Sequence, residues 1–266
     1  MENKLFDLTG KTAIVTGGAK NLGQYMAKGL NEYGANVVLV DIDDDFEESL
    51  SMLDKDSMAF KVDITEDSEV KNMVKRVEKE FGGIDILVNN AAICPFQDTF
   101  NIEPIEFLKV FDVNVLGVFL CCRAVFSGMK KRGYGKIINI ASVYGMVGVN
   151  KSIYTDDVED QSDVYSFTSS KAAVINLTRD LAVHWGRFNI NVNAISPGMM
   201  MTKIIQEKID NEDYDKNIIS RMETKIPMGR LADPSELIGG IVYLASNASS
   251  YVNGHNLVID GGWVVW

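Results

Sequence analysis

The sequence is short of the residues that several classes of function require. Its 266 residues include only 2 histidines and 3 cysteines, and the cysteines, Cys94, Cys121 and Cys122, show no CxxC spacing. No metal site is therefore predicted. Lysine and arginine total 26 against 37 aspartates and glutamates, a net charge of −11. This balance argues against nucleic-acid binding, because phosphate binding requires clustered cations.

Long apolar runs are also missing. The longest, around residues 115–122, is far shorter than a membrane-spanning helix of roughly 20 residues. The first residues, MENKLFDLTGK, contain no apolar signal core, and the cysteines are best explained as buried thiols in a reducing compartment. We therefore expect a cytoplasmic protein that binds neither nucleic acid nor a membrane.

Short β-branched runs alternate with helical stretches along the whole chain. This alternation is typical of βαβ units and a parallel sheet, and several runs are apolar throughout, as in strands covered on both faces. The sequence predicts a single α/β domain over residues 1–266, a doubly wound Rossmann-type fold with a seven-stranded, mostly parallel sheet and helices on both faces. The predicted strands are 12–16, 36–40, 58–62, 85–88, 136–140, 190–195 and 257–259, and the predicted helices are 22–33, 68–81, 104–131, 169–186 and 235–246.

Two stretches depart from this alternation. Residues 150–164 (NKSIYTDDVEDQSDV) are polar and acidic, and residues 199–226 begin with three methionines and continue as an amphipathic stretch. Excursions of this length in compact domains are typical of lids, binding loops or insertions. We expect 199–226 to be a substrate lid, and 150–164 to be an acidic insertion that lies either at the substrate mouth or in solvent.

A glycine-rich turn, TGGAKNLG at residues 16–23, follows the first predicted strand and opens the first predicted helix. Backbone N–H groups in such a turn can face a pyrophosphate. Asp41 ends the second strand, where a carboxylate accepts hydrogen bonds from the ribose hydroxyls of NAD and repels the 2′-phosphate of NADP. Lys20 favours NADP instead, because its ammonium can pair with the 2′-phosphate. We weigh Asp41 more heavily and predict NAD as the cofactor.

Further motifs follow in order: VDI at 62–64, NNAA at 89–92, DVNVLG at 112–117, INIASVYG at 138–145, SPG at 196–198 and IDGG at 259–262. With the glycine turn, they resemble the short-chain dehydrogenase/reductase family from residue 8 to residue 262. Asn21 replaces the middle glycine of the family's turn, and asparagine tolerates a left-handed backbone well. The resemblance implies these cofactor-binding residues: Gly17, Asn21, Leu22, Gly23, Asp41, Asp63, Ile64, Asn90, Lys171, Pro197, Gly198 and Thr202.

The resemblance also implies a catalytic group. Hydride transfer between a secondary alcohol and nicotinamide needs a residue that exchanges the hydroxyl proton, and in this family that residue is a tyrosine four positions before a lysine. A serine bonds the substrate oxygen, an asparagine helps to hold a water, and the lysine binds the ribose and lowers the tyrosine pKa. The matching positions here are Asn114, Ser142, Phe167 and Lys171.

Phe167 has no hydroxyl, so the acid/base of the family is missing from its expected place. Tyr165 is about 200° from Phe167 around a helix, and it qualifies as a substitute only if the chain before Ser169 is not helical. Tyr154 and Tyr144 are weaker alternatives. We interpret Phe167 as a replacement of the acid/base, introduced deliberately or natural, that impairs turnover.

The predicted function is that of an NAD(H)-dependent oxidoreductase that interconverts a secondary alcohol and a ketone, with a sugar or polyol favoured as substrate. The alternatives are a catalytically silent NAD-binding regulatory protein, and a reductase of oxoacyl or hydroxysteroid substrates. Helices 104–131 and 167–186 resemble those through which family members form tetramers, so a homotetramer is predicted. The apolar tail with Trp263 and Trp266 is expected to be buried against a second subunit or over the active site.

Overall fold

A parallel sheet forms the centre of the protein. The computed structural model describes residues 5–54, 57–95, 97–98, 101–154, 162–211 and 217–266. The strands are β1 (Thr12–Thr16), β2 (Asn36–Asp41), β3 (Met58–Lys61), β4 (Ile86–Asn89), β5 (Gln97–Asp98), β6 (Gly135–Ile140), β7 (Ser162–Asp163), β8 (Ile190–Pro197) and β9 (Asn256–Ile259). Seven of them form one sheet in the order β3-β2-β1-β4-β6-β8-β9, and every pairing in it is parallel. The predicted fold class is confirmed.

Helices cover both faces of this sheet. They are α1 (Asn21–Glu32), α2 (Glu47–Ser51), α3 (Asp67–Phe81), α4 (Pro104–Phe111), α5 (Val118–Arg132), α6 (Tyr165–Trp185), α7 (Lys203–Asp210), α8 (Ile218–Glu223) and α9 (Ile238–Ala245). Because side chains alternate along a strand, Ile14 packs in the layer of α3, α5 and α6, whereas Val15 packs in the layer of α1 and α9. Both faces of β1 are therefore buried, which explains its continuous apolar sequence. Across the described ranges, no helix is both long and apolar enough to cross a bilayer.

Two helix predictions were wrong in their boundaries. The stretch 104–131 is not one helix, because a π-helical turn, Asp112–Gly117, separates α4 from α5. The helix predicted to begin at Ser169 begins at Tyr165, and its first turn is closed by a hydrogen bond of 2.9 Å from the Thr168 N–H to the Val164 carbonyl. Serine and threonine are weak helix formers, which hid this first turn in the sequence.

The two stretches that break the alternation pack on each other. Residues 151–153 form a short 3₁₀ turn that contacts α8, and β7 pairs antiparallel with β5. The acidic residues of the insertion that precede Asp163, namely Asp156, Asp157, Glu159 and Asp160, lie outside the described residues, as do 212–216 of the predicted lid. The insertion thus joins the domain beside the predicted lid at one end and beside β5 at the other.

The tail and the cysteines depart in part from expectation. The Trp263 ring packs edge-on against Tyr144, with 6.3 Å between ring centres, whereas Trp266 stays 76% exposed in the single chain. Cys121 and Cys122 are buried, as expected, but Cys94 is exposed because it lies in the segment after β4 rather than in a helix of the core.

Candidate active site

A cavity of about 820 Å³ opens at the carboxyl ends of β1, β2 and β4. Open α/β sheets bind ligands at this edge, beside the point where the strand order reverses, here between β1 and β4. Eight of the residues predicted to bind the cofactor line it: Gly17, Asn21, Leu22, Asp41, Asp63, Ile64, Asn90 and Thr202. The position and lining fit an elongated dinucleotide.

The glycine turn is held in one shape by close backbone contacts. Gly17 and Asn21 have left-handed backbones, with φ of 62° and 53°, as expected for Asn21. A Cβ on Gly17 would lie 2.8 Å from the Ala91 Cα, and a Cβ on Gly23 would lie 1.9 Å from the Gly17 carbonyl oxygen. The Asn90 side-chain amide also donates to the Gly17 carbonyl at 2.9 Å. Gly23 therefore allows the close backbone contact within the turn and does not itself line the described cavity. The N-terminus of α1, at Asn21 and Leu22, faces the cavity.

Asp41 and Lys20 lie near each other on the cavity wall. The Asp41 carboxylate accepts hydrogen bonds from the backbone N–H groups of Ala19 at 3.1 Å and Asp43 at 3.2 Å. Lys20 Nζ donates to the Asp43 carboxylate at 2.7 Å, and this bond raises the pKa of Lys20. The cation of the turn is thus paired with Asp43, a residue that sequence reasoning missed although it stands in the acidic run DIDDD.

Other residues predicted to bind the cofactor lie at the ends of β3 and β8. The Asp63 carboxylate accepts from the N–H and hydroxyl of Thr65 at 2.9 and 2.7 Å, which fixes the turn after β3. The segment from β8 to α7 contains three more: Pro197 ends β8, Gly198 follows it, and Thr202 is the N-cap of α7. A Cβ on Gly198 would lie 2.6 Å from the Asp260 Cα, so glycine permits this close packing. The described cavity lining reaches Thr202 but not Pro197 or Gly198.

Phe167 and Lys171 share one face of α6. Lys171 is only 4% exposed, its Nζ donates to the Ile140 carbonyl at 2.7 Å, and burial lowers its pKa to about 8. Its Nζ also lies 5.5 Å from the centre of the Phe167 ring. Tyr165, at the first position of the same helix, is 49% exposed. Because the helix already includes Tyr165, the condition under which it would replace Phe167 is not met.

Asn114 connects the cavity to the helix that carries Lys171. In the π-helical turn, its side chain accepts from the Ile93 N–H at 2.9 Å and donates to the Ile93 carbonyl at 3.0 Å and to the Ser170 hydroxyl at 2.9 Å. Ser170 in turn donates to the Phe167 carbonyl at 2.7 Å. Ile93 lines the cavity, so this chain of bonds links α6 to the cavity. Ser170 gave no signal in the sequence beyond its place before Lys171.

Ser142 is the N-cap of a short 3₁₀ turn that follows β6, and Lys171 bonds to Ile140 at the end of that strand. The Ser142 hydroxyl accepts a hydrogen bond of 3.1 Å from the Tyr144 N–H. A Cβ on Gly145 would lie 2.7 Å from the Lys171 carbonyl carbon, so the glycine lets the turn approach the helix backbone. The structure thus brings Ser142, Phe167 and Lys171 to the end of β6, and Gly145 is a further residue that this approach requires.

The site can be compared with known proteins. A family model described as enoyl-(acyl carrier protein) reductase matches residues 17–264. A 2-dehydro-3-deoxy-D-gluconate 5-dehydrogenase of Dickeya dadantii (strain 3937) is 38% identical over 262 residues, 97% of each chain. An NAD-dependent glycerol dehydrogenase of Listeria innocua is 32% identical over 264 residues, 99% of this chain and 97% of the relative. The crystal structure of a gluconate 5-dehydrogenase from Burkholderia cenocepacia J2315 in complex with NADP and tartrate has a TM-score of 0.86 at 31% identity, with 99% of this chain and 98% of that chain covered.

Proposed function

The chain belongs to the short-chain dehydrogenase/reductase family, and we propose that it is an NAD(H)-dependent oxidoreductase that interconverts a secondary alcohol and a ketone of a sugar acid or polyol. The observation that carries the proposal is the placement of Ser142 and Lys171 at the end of β6, with Asn114 linking α6 to the cavity of about 820 Å³. The substrate class is supported by the two gluconate-type dehydrogenases and the glycerol dehydrogenase that this chain resembles.

The cofactor assignment rests on the charges of the cavity wall. NADP, the cofactor of the similar Burkholderia structure, requires a cation at its 2′-phosphate, and Lys20 is the residue in place for it. The pairing of Lys20 with Asp43 and the fixed carboxylate of Asp41 favour NAD instead. When bound, the nicotinamide ring supplies or accepts the hydride.

The residues of the chain bind the cofactor and the substrate. The turn from Gly17 to Gly23 and the N-terminus of α1 hold the pyrophosphate, and Asp41 accepts hydrogen bonds from the adenosine ribose. Lys171 donates to the nicotinamide ribose and Ser142 donates to the substrate oxygen. Phe167 stands in the acid/base position without an exchangeable proton, so proton transfer depends on solvent and turnover is poor. This residue also favours a second candidate, a catalytically silent NAD-binding protein.

The experiment that tests the proposal compares the unmodified chain with Phe167→Tyr. NADH formation is followed by absorbance with NAD⁺ and either D-gluconate or glycerol. We expect slow oxidation by the unmodified chain and faster oxidation by Phe167→Tyr. Cofactor binding without oxidation of either probe, even by Phe167→Tyr, would favour the silent NAD-binding protein.

We further propose that residues 1–266 act as one domain in a cytoplasmic homotetramer, with 199–226 as the lid and 150–164 as an insertion at the substrate mouth. Exposed apolar side chains on α4 and the π-helical turn, Ile105, Leu108 and Leu116, support the assembly. The three cysteines, all among the described residues, are free thiols, which supports a reducing compartment. The packing of Ile153 with α8 supports the position of the insertion.

A further inference from the structure

An ion pair joins α7, at the start of the predicted lid, to α2. The Lys203 ammonium donates to the Glu48 carboxylate, and this bond raises the pKa of Lys203. The two residues are 155 positions apart in the chain, so the pair is a contact between distant segments. Both side chains are more than half exposed, and neither lines the described cavity of about 820 Å³. The pair therefore lies outside the cavity.

The helix that carries Glu48 is firmly attached to the cofactor side. The buried hydroxyl of Ser49 donates to the Ala19 carbonyl in the glycine turn at 2.6 Å. The Ala19 N–H in turn donates to the Asp41 carboxylate at 3.1 Å. Phe46, the N-cap of α2, is buried in the core layer of α1 and α9. The position of Glu48 is therefore fixed relative to the turn and to the end of β2.

α7 itself is attached less firmly. The chain just before it is held by a hydrogen bond of 2.9 Å from the Met201 N–H to the Ala232 carbonyl. Thr202 and Ile204 line the cavity, and Ile204 is still 48% exposed. Among the α7 side chains whose burial is described, none is fully buried. Burial thus holds α7 less firmly than it holds the core helices, and elements of this kind open at a low free-energy cost.

The pair connects two sides of the cavity. Asp41 and Asp43 line it shortly before α2, and Thr202 lines it directly before Lys203. We propose that Glu48 and Lys203 are positioning residues that hold α7 over the bound dinucleotide and slow its release. Release requires α7 to move away from α2, and breaking the pair is part of the cost of that movement. The inference rests on the proposed function, because the dinucleotide must occupy this cavity.

The rate of NADH release tests the inference. The NADH-loaded protein is mixed with an excess of NAD⁺ in a stopped-flow instrument, and the fluorescence of bound NADH decays as it leaves. Glu48→Gln and Lys203→Met each remove one charge at similar side-chain size. We expect each to raise the dissociation rate constant about two- to fivefold, the range that an exposed ion pair supplies.

Exchanging the two charges provides a rescue. Glu48→Lys alone places two ammonium groups together and should release NADH faster than Glu48→Gln. Adding Lys203→Glu to Glu48→Lys restores an ion pair of the opposite orientation, and the rate should return toward that of the unmodified chain. A loss of packing would not be rescued in this way.

Ionic strength gives a second readout. Salt screens exposed charges, so raising NaCl from about 0.05 M to about 0.5 M should speed NADH release from the unmodified chain. The increase should be smaller in Glu48→Gln, because the screened pair is already absent. Glu47→Gln removes the same charge from the first turn of α2, and Glu207→Gln removes the other carboxylate near Lys203, on α7 itself. Both are matched controls and should not speed release.

Three outcomes would overturn the inference. They are unchanged release rates in both Glu48→Gln and Lys203→Met, a charge-exchanged variant as fast as Glu48→Lys, and equal salt dependence in the unmodified chain and Glu48→Gln. Failure of the proposed function is recognised separately, because NADH would then not bind the unmodified chain, and the positioning role would fall with it.

Discussion

The ammonium nitrogen of Lys171 lies 5.5 Å from the centre of the Phe167 ring, one helical turn away on α6. A spacing of four residues brings side chains together on a helix. In the family, a phenol at the first position exchanges the substrate proton, and the neighbouring ammonium lowers its pKa. A phenyl ring keeps the contact with Lys171 but exchanges no proton, so we propose that Phe167 leaves binding intact and slows turnover.

Adding a hydroxyl to the ring at position 167 should raise the rate of turnover. General acid–base catalysis contributes about 10²- to 10⁴-fold, or roughly 3–5 kcal/mol of barrier. Phe167→Tyr should therefore raise kcat by that order with little change in KM, because the added proton transfer acts in the transition state. Steady-state kinetics with NAD⁺ and D-gluconate measure both constants.

Lys171 provides the control for this gain. In a Phe167→Tyr, Lys171→Ala double variant the rate should fall back, because the tyrosine pKa is no longer lowered and the ribose loses a donor. A fast unmodified chain that Tyr165→Phe inactivates would contradict the assignment, and would make Tyr165 the acid despite its exposure.

Cofactor choice should respond to the two acidic residues around Lys20. Asp43→Asn removes the partner of the lysine, and Asp41→Ala removes the carboxylate that repels a 2′-phosphate. Each variant should bind NADPH more tightly relative to NADH, and the double variant most of all, in calorimetric titrations. Asp44→Asn is the matched control, since Asp44 pairs with Lys61 instead. Equal affinities of the unmodified chain for NADH and NADPH would refute the NAD assignment.

Buried Lys171 should make the stability of the cofactor-free protein depend on pH. Its pKa is lowered from 10.5 to about 8, so between these values the unfolded chain holds a proton that the folded chain has lost. The free energy of unfolding should then rise with pH in this window, because the cost of burying an ammonium disappears. Below about pH 8, both states are protonated and the cost is fully present.

A comparison with Lys171→Met isolates this effect. Denaturant unfolding near pH 7 and near pH 10 gives the free energy for both chains. The difference, unmodified minus variant, should increase from the lower to the higher pH, while contributions shared by both chains, such as that of buried Lys136, cancel. A difference that does not change with pH would show that the folded-state pKa is near its ordinary value.

Asn114 should contribute to stability through its three hydrogen bonds. Asn114→Ala leaves the Ile93 N–H and carbonyl and the Ser170 hydroxyl short of a partner in a buried site, at about 1–3 kcal/mol for each group left unsatisfied. We expect a loss of at least about 2 kcal/mol in denaturant unfolding. The exposed Asn211→Ala should stay within about 0.5 kcal/mol of the unmodified chain, and an equally small effect of Asn114→Ala would contradict the expectation.

The assembly proposal is tested by light scattering. The unmodified chain, of 29.4 kDa, should have about four times that mass, as a tetramer with two-fold symmetry. Leu108→Asp should shift it to smaller species, because it places a charge in the exposed apolar face of α4. A monomer at micromolar concentration would refute the tetramer.

The sequence predicted the strands of the sheet better than it predicted contacts between residues that are distant in the chain. The seven strands of the sheet were predictable because each is a short apolar run between helices, and Thr12–Thr16 was placed without error. The π-helical turn around Asn114 was not, because it depends on bonds to Ile93 and Ser170, which lie far away in the chain. The same reason hid the hydrogen bond between the Tyr144 and Tyr154 hydroxyls, because a contact between the insertion and the turn after β6 has no periodic signal.

The order of the strands in the sheet affects how the chain can fold during its synthesis on the ribosome. Ala13 of β1 pairs with Val37 of β2 on one side and with Ile86 of β4 on the other. The first edge of β1 can be covered as soon as β2 and α1 emerge, whereas the second edge stays open until β4 has been synthesised. Pairing between distant parallel strands is also slow, since loop closure must precede the contacts that stabilise it. The nascent chain therefore carries one unpaired edge of the strand TAIVT until β4 has been made, and an unpaired edge is a template for pairing with other chains.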